Sequence, residues 1–235
     1  MGVSTAAAGQ AGRRRDPVQE RSQETVGRVV AAAGRLLARG VPPPALTTAQ
    51  IAREAGLSVG ALYRFFPDKQ AVIDAIAKEH LAAFQAALAN ALMADLPESP
   101  AGFLAMAIDA FAAYLAAHAD FRTLAYGAPP GAGRAISTAL FEAQLGGHPD
   151  GAGEMAAMVR NFLSTMFAVA PDAAFDFRLR IAAEIGDRLI AHAFAQADPR
   201  HRARVLEEAK RLISSYLFSP LGADGEDQSS NRNIA

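Results

Sequence analysis

The stretch Thr47-Thr48-Ala49-Gln50-Ile51-Ala52-Arg53-Glu54-Ala55-Gly56-Leu57-Ser58-Val59-Gly60-Ala61-Leu62-Tyr63-Arg64-Phe65-Phe66-Pro67-Asp68-Lys69 decides how the rest of the chain is read. Thr47-Thr48 offers an N-cap to a run built on Ala49, Ile51, Ala52 and Ala55, because a threonine hydroxyl satisfies an orphan N–H of the first turn. Gly56 ends that run, since glycine enters the left-handed region at no steric cost. Leu57-Ser58 leads into a second short helix over residues 59–66, and Pro67-Asp68 breaks the chain and caps the next one. Two short helices meeting at a glycine turn and packed on a longer helix make a helix-turn-helix. Ala52, Ala55, Leu57 and Leu62 are small or apolar where those helices must cross.

That arrangement presents the N-terminal end of the second helix to a DNA major groove. Ser58, Val59, Gly60 and Ala61 are small enough to let it sit deep, with first-turn N–H groups facing phosphate oxygens. Tyr63 and Lys69 stand where a hydroxyl and an ammonium reach the flanking backbone, and Thr47 and Thr48 do likewise from the preceding helix. Arg64 is the side chain best able to read a base edge such as guanine, or else it contacts phosphate. The register predicts Tyr63 outward and Phe66 inward.

Outward from this centre everything reads as helix. Val26, Val29, Val30, Ala33, Leu36 and Leu37 recur at helical spacing before Gly40 and the Pro42-Pro43-Pro44 run. A long helix is predicted from about Lys69 into the nineties, carried by Val72, Ile73, Ile76, Leu81, Phe84, Leu88 and Leu92. Further helices are predicted over 101–118, 119–125, 133–145, 152–169, 172–196 and 199–218. The expected organisation is all-α: a disordered basic arm over 1–16, a helix-turn-helix domain over 17–68 and a connecting helix over 69–94. A ligand-binding and dimerisation bundle over 95–218 and a disordered tail over 219–235 complete it.

Composition supports helices. Of 235 residues, 55 are alanine, the best helix former. With no Cys, disulfides, iron–sulfur clusters, Cys-ligated zinc and thiol catalysis are excluded. There is no signal-peptide pattern after Arg13, Arg14 and Arg15, and no run of about 18 uncharged apolar residues to span a membrane, so a cytoplasmic chain with no membrane partner is expected. The formal net charge of −1 hides a split. Residues 1–69 hold ten Arg or Lys against five acids, the remainder thirteen against nineteen. A positive head on an acidic body fits a protein that grips a polyanion at one end.

The 47–69 stretch resembles the DNA-binding signature of TetR-type transcriptional regulators, densely and without gaps, and the flanking helices extend the likeness to roughly residues 18–90. The resemblance implies a homodimer on a palindromic double-stranded operator, usually repressing a nearby gene. It also implies a variable helical C-terminal domain that binds a small-molecule effector and releases the DNA. The family usually carries an aromatic residue soon after the glycine ending the first helix; here Val41 and the triple proline stand instead.

Other features are weaker. Arg13, Arg14 and Arg15 either follow the minor groove as an arm or form a solvated tail. The run from Gly127 to Ala135 lacks the Lys and Ser/Thr of a phosphate-binding loop and reads as a loop before a helix. The five histidines show no metal-ligand spacing, and no cofactor fingerprint is present. Phe103, Met106, Phe111, Tyr114, His118, Phe121, Tyr126, Met158, Phe162, Met166 and His192 are either plain core or walls of a pocket for a mostly apolar effector. Over 172–196, Leu179, Ala182, Ala183, Gly186, Ile190, Ala193 and Phe194 form one apolar stripe, and Phe177, Ile181, Ile185 and Leu189 a second. With Val205, Leu206, Ala209, Leu212, Ile213 and Tyr216 of the last helix, the first stripe is expected to build a four-helix dimer interface; the alternative is packing within one subunit. Competing readings are a DNA-binding regulator controlled by a protein partner, and an enzyme in the helical body, for which no nucleophile–base pair or metal cluster speaks.

Overall fold

The computed structural model describes residues 17–127, 154–170, 172–195 and 197–218, with the side chains of 17–20 and 154–158 outside that description. Among the described residues the structure is helical and has no strand. The helices are α1 (Pro17–Ala38), α2 (Thr48–Ala55), α3 (Val59–Tyr63), α4 (Lys69–Ala94), α5 (Pro100–Ala117), α6 (Ala119–Tyr126), α7 (Glu154–Phe167), α8 (Ala173–Ala195) and α9 (Pro199–Phe218). The helix expected over 133–145, the arm with Arg13, Arg14 and Arg15, the tail, and all but the first residue of the Gly127 run lie outside the described residues.

Local chemistry sets the first boundaries. After α1, Gly40 adopts φ 84°, its N–H bonds the Leu37 carbonyl at 2.8 Å and the Val41 N–H bonds that of Leu36 at 3.1 Å. This paired closure satisfies carbonyls the helix end leaves orphaned. The proline run forms a single 3-10 turn, Pro43–Ala45, which places Leu46 in the core at 1% exposure. Gly56 repeats the closure behind α2 at φ 69°, with Leu57 N–H on the Ala52 carbonyl at 2.9 Å.

The second helix of the motif is shorter than its predicted range of 59–66: it ends at Tyr63, and Phe66 closes as a turn on the Leu62 carbonyl at 3.1 Å. Pro67 explains the early stop, because a residue before proline is driven out of the helical region. Leu62 (0% exposed) and Phe66 (6%) point into a core with Val29, Ala33, Leu37, Ile51 and Val72.

The body surrounds α5, an 18-residue helix of mean hydropathy 1.5. It packs against α4, α6 and α9, burying Phe103, Leu104, Ala112, Tyr114 and Leu115. Lys210 of α9 closes one side, its ammonium 2.6 Å from the Asp109 carboxylate of α5. The helices α8 and α9 lie against each other so closely at Gly186 that a Cβ there would meet Ile213 Cδ1 at 3.0 Å.

This packing already covers part of the face expected at a dimer interface. Leu179, Ala182, Gly186, Ile190, Leu206, Ala209 and Ile213 are buried inside the single subunit. The reason is that α8 lies along α9, and Leu179, Ala182 and Ile213 pack into one core with Phe103, Leu104 and Leu217. Ala183, Phe194, Val205 and Tyr216 are half-buried, while Leu212 stays 48% exposed. The apolar side chains left outward on α8 belong to the second stripe: Phe177 at 56% and Ile185 at 40%.

Candidate nucleic-acid interface

At the entry to α2, Thr47 Oγ1 accepts from the Gln50 N–H at 3.2 Å, and Gln50 Oε1 accepts from the Thr47 N–H at 2.9 Å. This reciprocal box fixes where the helix starts. The Thr47 hydroxyl also donates to Gln50 Oε1 at 2.9 Å, so Thr47 is committed to the cap. Thr48 Oγ1 lies 3.4 Å from the Tyr63 hydroxyl, which brings α2 and α3 together on one exposed face. At α3, Ser58 Oγ accepts from the Ala61 N–H at 3.1 Å.

The face itself is open. Val59 is 39% and Tyr63 50% exposed; Ser58, Gly60 and Arg64 are exposed and Ala61 is half-buried. Gly60 is the informative position. A Cβ built there would meet nothing within 4 Å, so packing within the chain does not demand glycine. A side chain at Gly60 would project only into whatever docks from outside.

Three contacts hold this face on α1 and the preceding loop. Arg28 donates to the Ala55 carbonyl at 3.0 Å. Arg35 and Arg39 grip the Glu54 carboxylate at 2.9 and 2.7 Å, and their hydrogen bonds, Arg39 first and Arg35 next, push its pKa down to about 2. Lys69 Nζ donates to the Pro43 and Pro44 carbonyls at 3.2 and 3.4 Å; it is tied to its own loop rather than extended as a free arm. The capping box is readable in the sequence as Thr47-x-x-Gln50. The Arg–Glu clamp joins residues 15 and 19 apart and leaves no local signal.

Behind the head, α4 carries its polar and apolar faces into the body. His80 Nδ1 lies 2.9 Å from the Tyr114 hydroxyl and Nε2 lies 3.2 Å from Asp120 Oδ2, while its ring stacks on Phe121 at 4.8 Å. Burial pushes the His80 pKa below its ordinary value, with Asp120 opposing. A Cβ on Gly34 of α1 would sit 3.3 Å from that same Asp120 oxygen. One polar cluster therefore joins α4, α5 and α6, with α1 packed closely against it.

Further along, side chains of α4 to α9 line a partly open cavity of about 180 Å³. Its walls include Leu81, Phe84 and Leu88 of α4, Leu104, Ile108 and Phe111 of α5, and Phe121 of α6. Leu179, Ala182, Ala183, Gly186, Asp187 and Ile190 of α8 and Ile213 of α9 complete them, with Val159 of α7. Of the expected pocket residues, Phe111 and Phe121 are walls. Phe103 instead stacks on Phe162 at 4.2 Å. Tyr114 and His118 stack on each other at 3.9 Å beside His80. Tyr126 reaches the rim by donating to Asp187 Oδ1 at 2.9 Å. Met106 is half-buried, Met166 is 44% exposed, and His192 is exposed with its ring 5.3 Å from that of His201. The Met158 side chain is outside the described residues. Among the described residues no group of His, Cys, Asp and Glu is disposed to hold a metal.

Comparison with known proteins follows this division. The family model described as bacterial regulatory proteins, tetR family, matches residues 29–76, and that of the tetracyclin repressor-like C-terminal domain matches residues 99–217. The chain belongs to the TetR family. It is a DNA-binding transcriptional regulator. A TetR-family transcriptional regulator from Streptomyces coelicolor shares the fold at a TM-score of 0.62 and 24% identity, over 82% of this chain and 97% of that one. A putative tetR family transcription regulator from Shewanella sp. PV-4 does so at 0.54 and 15%, over 80% and 95%. No curated protein matches the sequence.

Proposed function

We propose that this TetR-family regulator is a repressor that binds a palindromic operator as a homodimer and leaves it when a small, mostly apolar effector enters the body. The observation carrying this reading is that α4 serves both ends. It begins at Lys69, directly behind α3, and its Leu81, Phe84 and Leu88 wall the cavity. A guest that moves those side chains tilts the rod on which the recognition helix sits. Two recognition helices must stand ~34 Å apart, one turn of DNA, to dock together; an effector that favours another spacing shifts the population off the operator.

Within this reading, residues 17–68 form the head and 95–218 the body. Thr47, Thr48, Ser58, Val59, Gly60, Ala61, Tyr63, Arg64 and Lys69 meet DNA, and Arg13, Arg14 and Arg15 follow the groove. The second copy is met by the outward apolar face of Phe177, Ile181 and Ile185 with Leu212, which is solvent-exposed or half-exposed in the single chain. The regulator acts in the cytoplasm, where its operator is.

The test is selection of bound DNA from a random library, followed by gel shifts at two salt concentrations. Two-fold symmetric sites and a band of two chains per duplex are expected, with Tyr63→Ala weakening all sites and Arg64→Ala changing base preference. Asymmetric sites bound by one chain would contradict the reading.

A further inference from the structure

We propose that the body cavity takes a small lipophilic amine, its ammonium seated on the Asp187 carboxylate. This rests on the reading above that the cavity is an effector site and adds the chemistry of the guest.

Among the described residues that wall the cavity, every side chain apart from Asp187 is hydrocarbon, or is the hydrogen of Gly186. Asp187 is an acid placed on an oily wall. One of its oxygens accepts the Tyr126 hydroxyl at 2.9 Å. No Lys, Arg or His among the described residues pairs with it, although other acids of the body do find cations: Asp109 has Lys210, and Asp176 has Arg160 at 3.1 Å. Asp187 is half-buried and has no countercharge among the described residues, and a cation that enters with the guest supplies one. A carboxylate ligand would bring like charge to the same point, and a neutral alcohol would leave the charge uncompensated.

Size sets the rest of the molecule. Hydrocarbon-lined cavities of about 150 Å³ hold a benzene-sized guest, and the space here is about 180 Å³. One aromatic ring, or a short alkyl chain, carrying a primary amine is of that size. The ring lies among Phe84, Ile108, Phe111 and Phe121, where edge and face contacts between aromatic groups are favourable.

The test is calorimetric titration of the full chain with 2-phenylethylamine, 2-phenylethanol and 3-phenylpropanoate. The amine is expected to bind at least tenfold tighter than the other two. Asp187→Asn is expected to erase that preference and Asp187→Glu to keep part of it, each variant checked as folded by its thermal melt. Ala183→Leu, which fills the cavity, is expected to abolish binding of the amine. If the alcohol or the acid binds as well as the amine, or Asp187→Asn leaves amine affinity unchanged, the amine assignment falls while the effector reading stands. If none of the three binds, both fall.

Discussion

The head and the body of this chain are both helical, but they are held in different ways. In the head α2 and α3 are fixed by directional contacts. Thr47 and Ser58 cap, Gly40 and Gly56 close helix ends, and Arg28, Arg35 and Arg39 bind α2 to α1. In the body, long apolar helices stack around the cavity, and its polar contacts, such as Lys210 with Asp109, Tyr126 with Asp187 and the His80 cluster, surround an otherwise hydrocarbon lining. A recognition helix must be presented at one fixed angle, which suits a head held by directional bonds. A body that admits a guest needs surfaces that can part, and hydrocarbon contact is non-directional.

The sharpest way to break this comparison is to remove core volume from the head. Leu62 is fully buried beneath α3, and Leu62→Ala is expected to cost about 3 kcal/mol, read as a lower midpoint in urea and as loss of DNA binding. A cost below about 1 kcal/mol would mean that the head, too, is loosely packed. Gly56→Ala comes next. A Cβ there meets nothing within 4 Å, so the penalty is purely the φ of 69°, and about 1–2 kcal/mol is expected. Loss of much more would point to a collision that this geometry does not contain.

Acid separates the regions by their titrating groups. The folded pKa of His80 lies below its ordinary value because of burial, so its contribution is complete above the usual imidazole range and is lost as pH falls below it. Glu54 is depressed from 4.5 to about 2 by Arg39 and Arg35. The stability it supplies is complete above the ordinary carboxylate range and fades as pH drops towards 2. Weakening is therefore expected first at the α1–α4–α5–α6 junction, as pH falls below the ordinary imidazole range, and at the α1–α2 clamp only once pH falls below the ordinary carboxylate range towards 2. Amide exchange followed across pH checks the order; the clamp opening first would contradict it.

How much can be read from the sequence follows the same divide. In the head, cap and turn residues act on neighbours three to five positions away, so Thr47, Gly56, Ser58 and the inward Phe66 are legible. The length of α3 is not, because Pro67 acts backwards on the residues before it. In the body, Leu179, Ala182 and Gly186 look alike whether they face α5, α9, a cavity or a second copy. Periodicity shows that a face is apolar and not what covers it, and Leu179, Ala182 and Gly186 of the stripe are covered within the subunit. The walls from α4, Leu81, Phe84 and Leu88, look like plain core for the same reason. Asp187 carries no local signal at all, since its meaning comes from Tyr126 sixty-one residues away.

The central claim, that the Val59–Tyr63 end is shaped for something outside the chain, is tested most directly at Gly60. Gly60→Leu places a side chain in open space within the protein and replaces a first-turn glycine of α3, which should leave stability unchanged or raise it by up to about 1 kcal/mol. Melting and operator titration of this one variant are expected to move in opposite directions: a melting temperature at or above wild type, with DNA affinity lower by tenfold or more. Unchanged affinity in a folded Gly60→Leu protein would show that this end of α3 does not enter the groove.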